Sequence, residues 1–242
     1  MYDHMTTNHP PSPPSPPRGA GAAPGAVPRG ATADTGPETG RAARGSARAK
    51  LIAAAHQEVR KQGYAATSVE QICAAAGVTK GAFFHHFASK EALGVAAAEA
   101  WTERARPMFE MAPHNRLEDP LDRLLGHIDF RFSMLHGPVD GFICFIGTMV
   151  QDAYATSEPI RLACEASIAA YCNALAPDIE AAIDAYGAPQ GVTAIDLARH
   201  VQSVLQGGFV LAKTTNDSAI ARESVAHLRR YVLMLFGRSE PA

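Results

Sequence analysis

Thr79, Lys80, His85 and His86 bring hydroxyl, ammonium and imidazole donors into one short run, interleaved with Gly81, Ala82 and Phe84. These groups hydrogen-bond to phosphates and base edges. Lys80 can donate to guanine O6 and N7 in a major groove. Gly81 allows close approach of the backbone, Ala82 can at most touch a thymine methyl, and His85 and His86 can donate to phosphates. The run holds no catalytic constellation. The chain has no HExxH, GxSxG, Walker A or GxGxxG pattern.

The elements that must position this run are short helices on a tight turn. Ser68 is placed to cap a helix, with Gln71 in the capping-box position. Val69, Ile72 and Ala76 give that helix one buried face, and Gly77 ends it. Thr79 caps the next helix, whose Phe83 and Phe87 lie four apart and point inward. Ser89 caps a longer helix opening at Lys90-Glu91. Such a pair of helices around a glycine turn is the pattern of a helix-turn-helix reader. A helix from about Ser46 to Gln62 precedes it, with Leu51, Ala55 and Val59 on its inner ridge. Arg48 and Lys50 in its first turn oppose the helix dipole, which suits them to phosphate contacts.

At these residues the sequence resembles the tetracycline-repressor (TetR/AcrR) family of bacterial transcriptional regulators. The resemblance is dense from Ala49 to Leu93 and includes Gly63-Tyr64, Thr67-Ser68-Val69, Ala76-Gly77-Val78-Thr79-Lys80-Gly81, Phe87 and Ser89-Lys90-Glu91. It implies DNA contacts at Thr67, Ser68, Thr79, Lys80, Gly81, Ala82, Phe84, His85, His86 and Lys90. The family commonly has Tyr where this chain has Phe84, so one phosphate donor is missing. The resemblance further implies a C-terminal helical domain that dimerises and holds a small effector.

The rest of the chain is read against that expectation. Residues 1–46 hold nine of the seventeen prolines and seven of the twenty glycines, so a disordered arm is expected there. Residues 47–88 are assigned to the DNA-binding head and 89–237 to a regulatory and dimerisation domain, giving an all-α fold. In the second part helices are expected from Asp119, over Asp140–Tyr154, from Glu158 to Tyr186, from Thr193, and up to Phe236. Pro107 and Pro177 are expected to break or kink their helices. The helices Pro159–Tyr186 and Thr193–Lys213 are the expected dimer interface. Trp101, Phe109, Phe130, Met134, Cys144, Thr148, Asp152 and Tyr154 are the expected lining of an effector pocket, mostly apolar with few polar groups.

Charge is uneven. The first 46 residues carry four arginines against three acids, residues 47–105 seven basic against five acidic, and the remainder eleven against sixteen. The positive excess falls on the head that should meet phosphates. Cys73, Cys144, Cys164 and Cys172 form no CxxC pair. The sequence neighbours of Cys144 are apolar, with no adjacent base, which points to an inert core thiol. The ten histidines are scattered, so neither a metal nor a cofactor is implied. No stretch is long and apolar enough for a membrane span and no signal peptide is visible. The expectation is a cytoplasmic, nucleoid-associated homodimer whose partners are a double-stranded operator and an effector. The alternatives are a thiol-sensing repressor acting through Cys144 and an enzyme using the apolar pocket.

Overall fold

The computed structural model describes residues 38–239. Three helices lead: α1 (Glu38–Gln62), α2 (Val69–Ala76) and α3 (Lys80–His86). The local chemistry places them as the sequence dictates. The Ser68 hydroxyl accepts the Gln71 N–H at 3.1 Å, and the Ser68 N–H donates to Gln71 Oε1 at 2.7 Å, a complete capping box. Gly77 closes α2 at φ 63°, the left-handed region where a Cβ is costly. Thr79 caps α3 by accepting the Ala82 N–H. Ser89 caps α4 (Lys90–Glu110) by accepting from Ala92.

The body follows: a 3-10 turn (Pro113–Arg116), α5 (Pro120–Ser133), α6 (Val139–Phe142), α7 (Phe145–Ala153), α8 (Glu158–Tyr186), α9 (Ala194–Thr215) and α10 (Ala219–Leu235). No strand occurs among the described residues, so the fold is all-α. No described helix is long and apolar enough to cross a membrane.

Two expectations about elements need correction, the start of α1 and the run 140–154. α1 begins at Glu38, before the expected start at Ser46. Arg41, Ala42, Ala43 and Arg44 are good helix formers that extend an already nucleated helix. Residues 38–46 are therefore helical, and the rest of the expected arm lies outside the described residues. As expected, α4 continues past Pro107 to Glu110 and a long helix runs from Glu158 to Tyr186, which Pro177 does not divide. Each proline removes one backbone bond, and α8 is held by packing on α4, α5, α7 and α9 along its length. The apolar run 140–154 is two helices, because Ile143 and Cys144 are extended, with ψ of 155° and 123°.

The core forms two apolar clusters. One joins α5, the C-terminal half of α8, α9 and α10 through Leu124, Ile128, Ile179, Leu205 and Val232. The other joins the head to the body. Leu51, Ile72 and Phe83 share it with Leu93 and Ala97 of α4, Phe145 and Met149 of α7, and Ile160 of α8. The head has no core separate from the body, and its interior continues across residue 88.

Candidate nucleic-acid interface

α3 buries Phe83 and Phe87 in the shared cluster. That leaves Thr79, Lys80, Gly81, Phe84 and His85 exposed, with Ala82 and His86 half-buried beside them. Phe84 is 51% exposed and packs edge-on against Phe83, with centroids 5.1 Å apart. Arg48 and Lys50 on α1 are also exposed. The Arg48 guanidinium lies 5.3 Å from the Phe87 ring centroid, which brings that charge to the α3 side of the head. Thr79 to Ala82 and Phe84 to His86, with Arg48 and Lys50, thus lie at the head's surface.

Lys80 is ion-paired with Glu70 of α2, both side chains well exposed. This contact raises the lysine pKa and lowers that of the acid, the side-chain hydrogen bond being the main cause. An exposed pair of this kind is weak and exchanges readily for another anion. Ser68 remains half-buried at the start of α2.

Two expected phosphate contacts are corrected. Thr67 is 1% exposed. Its hydroxyl donates to the Gly63 carbonyl at 2.6 Å and accepts from Gln62 Nε2 at 3.3 Å, so it closes the loop after α1. Lys90 is half-buried and turned inward. Its ammonium donates to the carbonyls of Tyr64 and Thr67, each at 2.9 Å, and lies 4.3 Å from the Tyr64 ring centroid. Burial lowers its pKa. Thr67 closes the α1–α2 loop on itself, and Lys90 ties that loop to α4 with two of its three N–H donors.

The junction with the body contains residues that the sequence reading assigned differently or passed over. Asp152 on α7 accepts the Ala65 N–H at 3.1 Å, so it caps the head's loop and does not line a pocket. Its carboxylate fits because Gly63 has no side chain: a Cβ there would lie 2.6 Å from Asp152 Oδ2, and Gly63 has a φ of 90°. His56 is buried on α1, its Nε2 donating to the Ala97 carbonyl at 2.7 Å. Its ring stands edge-on to Trp101 and Phe145. Burial pushes its pKa down to about 4, with Arg104 and Arg60 adding to the shift against the raising effect of the Ala97 bond. The position of His56 four residues after Ile52, on the inner ridge, was a signal available in the sequence.

The eight residues expected around an effector do not gather. Trp101 packs on Phe145 at the junction. Phe109 and Phe130 meet each other at 6.0 Å near α5. Met134 is half-buried at the end of α5, and Thr148 is buried, accepting a hydrogen bond from Lys213. Tyr154 is 65% exposed, which removes it from any interior lining. A junction void lined by Tyr64, Lys90, Phe145 and Met149 is about 10 Å³, room for no more than a water. A groove of about 390 Å³ between α8 and the start of α9 is lined by Asn173, Ala176, Pro177, Glu180 and Thr193, and by none of the eight. No described group of three or more His, Cys, Asp or Glu is arranged to hold a metal.

Cys144 is corrected in its surroundings. It is the N-cap of α7, half-buried, with Sγ accepting the Gly147 N–H at 3.5 Å. Arg60 and Lys213, distant in sequence, lie in electrostatic range of it.

Residues 51–97 match the family described as bacterial regulatory proteins, tetR family. Among curated relatives, the repressor DhaR of Mycobacterium sp. (strain GP1) is 29% identical over 119 residues, covering 49% of this chain and 58% of the relative. YerO of Bacillus subtilis, a transcriptional regulator, is 51% identical over 39 residues, 16% of this chain and 14% of the relative. The chain therefore spans less than two thirds of the curated relatives it matches. Those relatives are transcriptional regulators and not enzymes. A TetR regulator structure from Chloroflexus aurantiacus shares the fold at 24% identity and a TM-score of 0.69, covering 79% of this chain and 96% of that one. The family match spans the helix-turn-helix and the start of α4, and the fold of the solved TetR regulator continues through the body.

Proposed function

We propose that this chain is a ligand-responsive transcriptional repressor that binds a pseudo-palindromic operator as a homodimer and leaves it when a small, largely apolar effector enters the helical body. One observation carries the reading: the exposed Thr79, Lys80, Gly81 and His85 lie on a helix whose opposite side is packed into a cluster shared with α4, α7 and α8. A tilt of the body would move the reading surface with it. Residues 47–88 act as the reader and 89–237 as the regulatory domain, in the cytoplasm, on the nucleoid when DNA-bound.

Two readers on a two-fold axis reach two half-sites. The dimer face best supported lies on α9 and α10, not on α8 with α9. α8 already touches α4, α5, α7 and α9, whereas Val210 and Leu211 of α9 and Tyr231 and Met234 of α10 are exposed. Gly207 of α9 has open space beside it, which lets a second backbone come close.

A gel shift with the DNA upstream of the gene tests the reading, and failure to bind in the effector-free state sinks it. Two lysines separate base reading from scaffolding. Lys80→Ala should cost about 1–3 kcal/mol of operator binding and relax discrimination at one base pair per half-site. Lys90→Ala should lower stability by about 1–3 kcal/mol by leaving two carbonyls unpaired, while the salt slope of DNA binding stays as in the wild type. A flattened slope for Lys90→Ala would return it to the phosphate contacts.

A second reading, thiol sensing, is favoured by the setting of Cys144 at a helix N-terminus with two cations in range. Under that reading N-ethylmaleimide releases the wild type from DNA and leaves Cys144→Ser bound. Under the first reading the two respond alike.

A further inference from the structure

The cluster formed by α4, the 3-10 turn, α5 and α8 contains a cation with no counter-ion among the described residues. Arg131 Nε is buried and has no hydrogen-bond partner. The guanidinium sits 5.4 Å from the Phe109 centroid and 5.8 Å from that of Tyr171. No described acid pairs with it. Beside it His114 is 6% exposed, and its Nδ1 also lacks a partner. The His114 ring is edge-on to His127 at 5.3 Å and tilted against Phe130 at 5.8 Å. His127 Nε2 and the Tyr171 hydroxyl share a hydrogen bond of 2.7 Å. Burial lowers the pKa of both histidines, so they are neutral at pH 7 and add no charge of their own.

Buried polar groups are normally paired, and each exception asks for a reason. The aromatic faces attract the guanidinium, but they give the Nε–H no acceptor. A half-buried arginine with a free in-plane donor, beside an unpartnered imidazole and two phenyl rings, has the elements of a receptor for a planar anion. We propose that this cluster is the effector-recognition site and that it takes an organic carboxylate bearing an apolar or aromatic group. The carboxylate accepts from Arg131 and from His114 Nδ1, and the apolar part lies against Phe109 and Phe130. The inference rests on the effector-responsive reading above and specifies the chemistry of that effector.

The test uses the full-length protein, thermal shift and operator release, with benzoate and octanoate against their neutral amides, and inorganic phosphate as a plain anion. The carboxylates should raise the thermal midpoint and release the operator, and the amides and phosphate should not. Arg131→Gln should weaken the carboxylate response by at least about tenfold while keeping operator affinity. Without any ligand, Arg131→Met should raise the midpoint, because it removes an unmatched charge and keeps the apolar stem. Amides or phosphate acting as well as benzoate would overturn the proposal. So would silence of both carboxylates, a full response from Arg131→Gln, or a lowered midpoint for Arg131→Met. If the wild type binds no operator, the repressor reading fails on its own, and the thermal shifts still judge the site.

Discussion

Taking the protein from pH 7 to pH 4.5 is expected to lower its thermal midpoint by roughly 10–20 °C. Two buried histidines carry most of the effect, and His114, whose pKa burial also lowers, adds to it. His56 has its pKa pushed down to about 4 and His127 to about 3, in both cases mainly because burial disfavours the imidazolium. In the unfolded chain each returns to about 6.5. The neutral forms therefore stabilise the fold fully above pH 6.5, and that contribution is lost as pH falls toward the folded values. By pH 4.5 the loss is on the order of 2–3 kcal/mol for each ring. The carboxylates with lowered pKa, Glu70, Asp119 and Asp196, titrate at the acid end of this window or below it. His127→Phe should remove a large part of the pH dependence. Calorimetric scans across this range check the claim, and a midpoint flat from pH 7 to 4.5 refutes it.

Phe83→Ala is expected to destabilise the protein by about 3–5 kcal/mol and to abolish operator binding at 37 °C. Phe83 is 0% exposed and meets Phe87 in the cluster that α3 shares with α4 and α7, with Phe84 edge-on to it outside. Truncation leaves a cavity under the reading helix, which has only seven residues and little stability of its own. The neighbouring Phe84→Ala, at a half-exposed ring, should change stability by less than about 0.5 kcal/mol. Denaturant unfolding and limited proteolysis of the pair provide the comparison. Equal losses for the two variants would mean that α3 is not anchored through Phe83.

Local chemistry made the head legible. Ser68 with Gln71, Gly77, Thr79 and Ser89 each do in the structure what their types and spacing require, because caps and left-handed ends are settled within a few residues. Asp119 caps α5 for the same reason. The contacts of Thr67 and Lys90 were not legible. A hydroxyl and an ammonium at helix starts serve a phosphate or a buried carbonyl equally well, and only the position of the α1–α2 loop against α4 decides between them. Asp152 likewise gave no sign of its target, 87 residues away at Ala65. The break at Ile143–Cys144 lies inside an unbroken apolar run with no glycine or proline at the joint, and tertiary packing sets it. Pro177 does not divide α8, whose two ends pack into different apolar clusters.

The shared cluster has a consequence for anyone who recombines such regulators. A chimera cut after α3 would pair Phe83, Leu51 and Ile72 with foreign partners for Leu93, Phe145, Met149 and Ile160. It would also separate Gly63 and Ala65 from Asp152, and His56 from Ala97. The natural unit of exchange is therefore discontinuous: α1 to the middle of α4, together with α7 and the opening turns of α8. A graft that carries those three pieces should keep its operator preference in a new host. One that carries only residues 47–88 should emerge as an insoluble protein, whatever sequence it was meant to read.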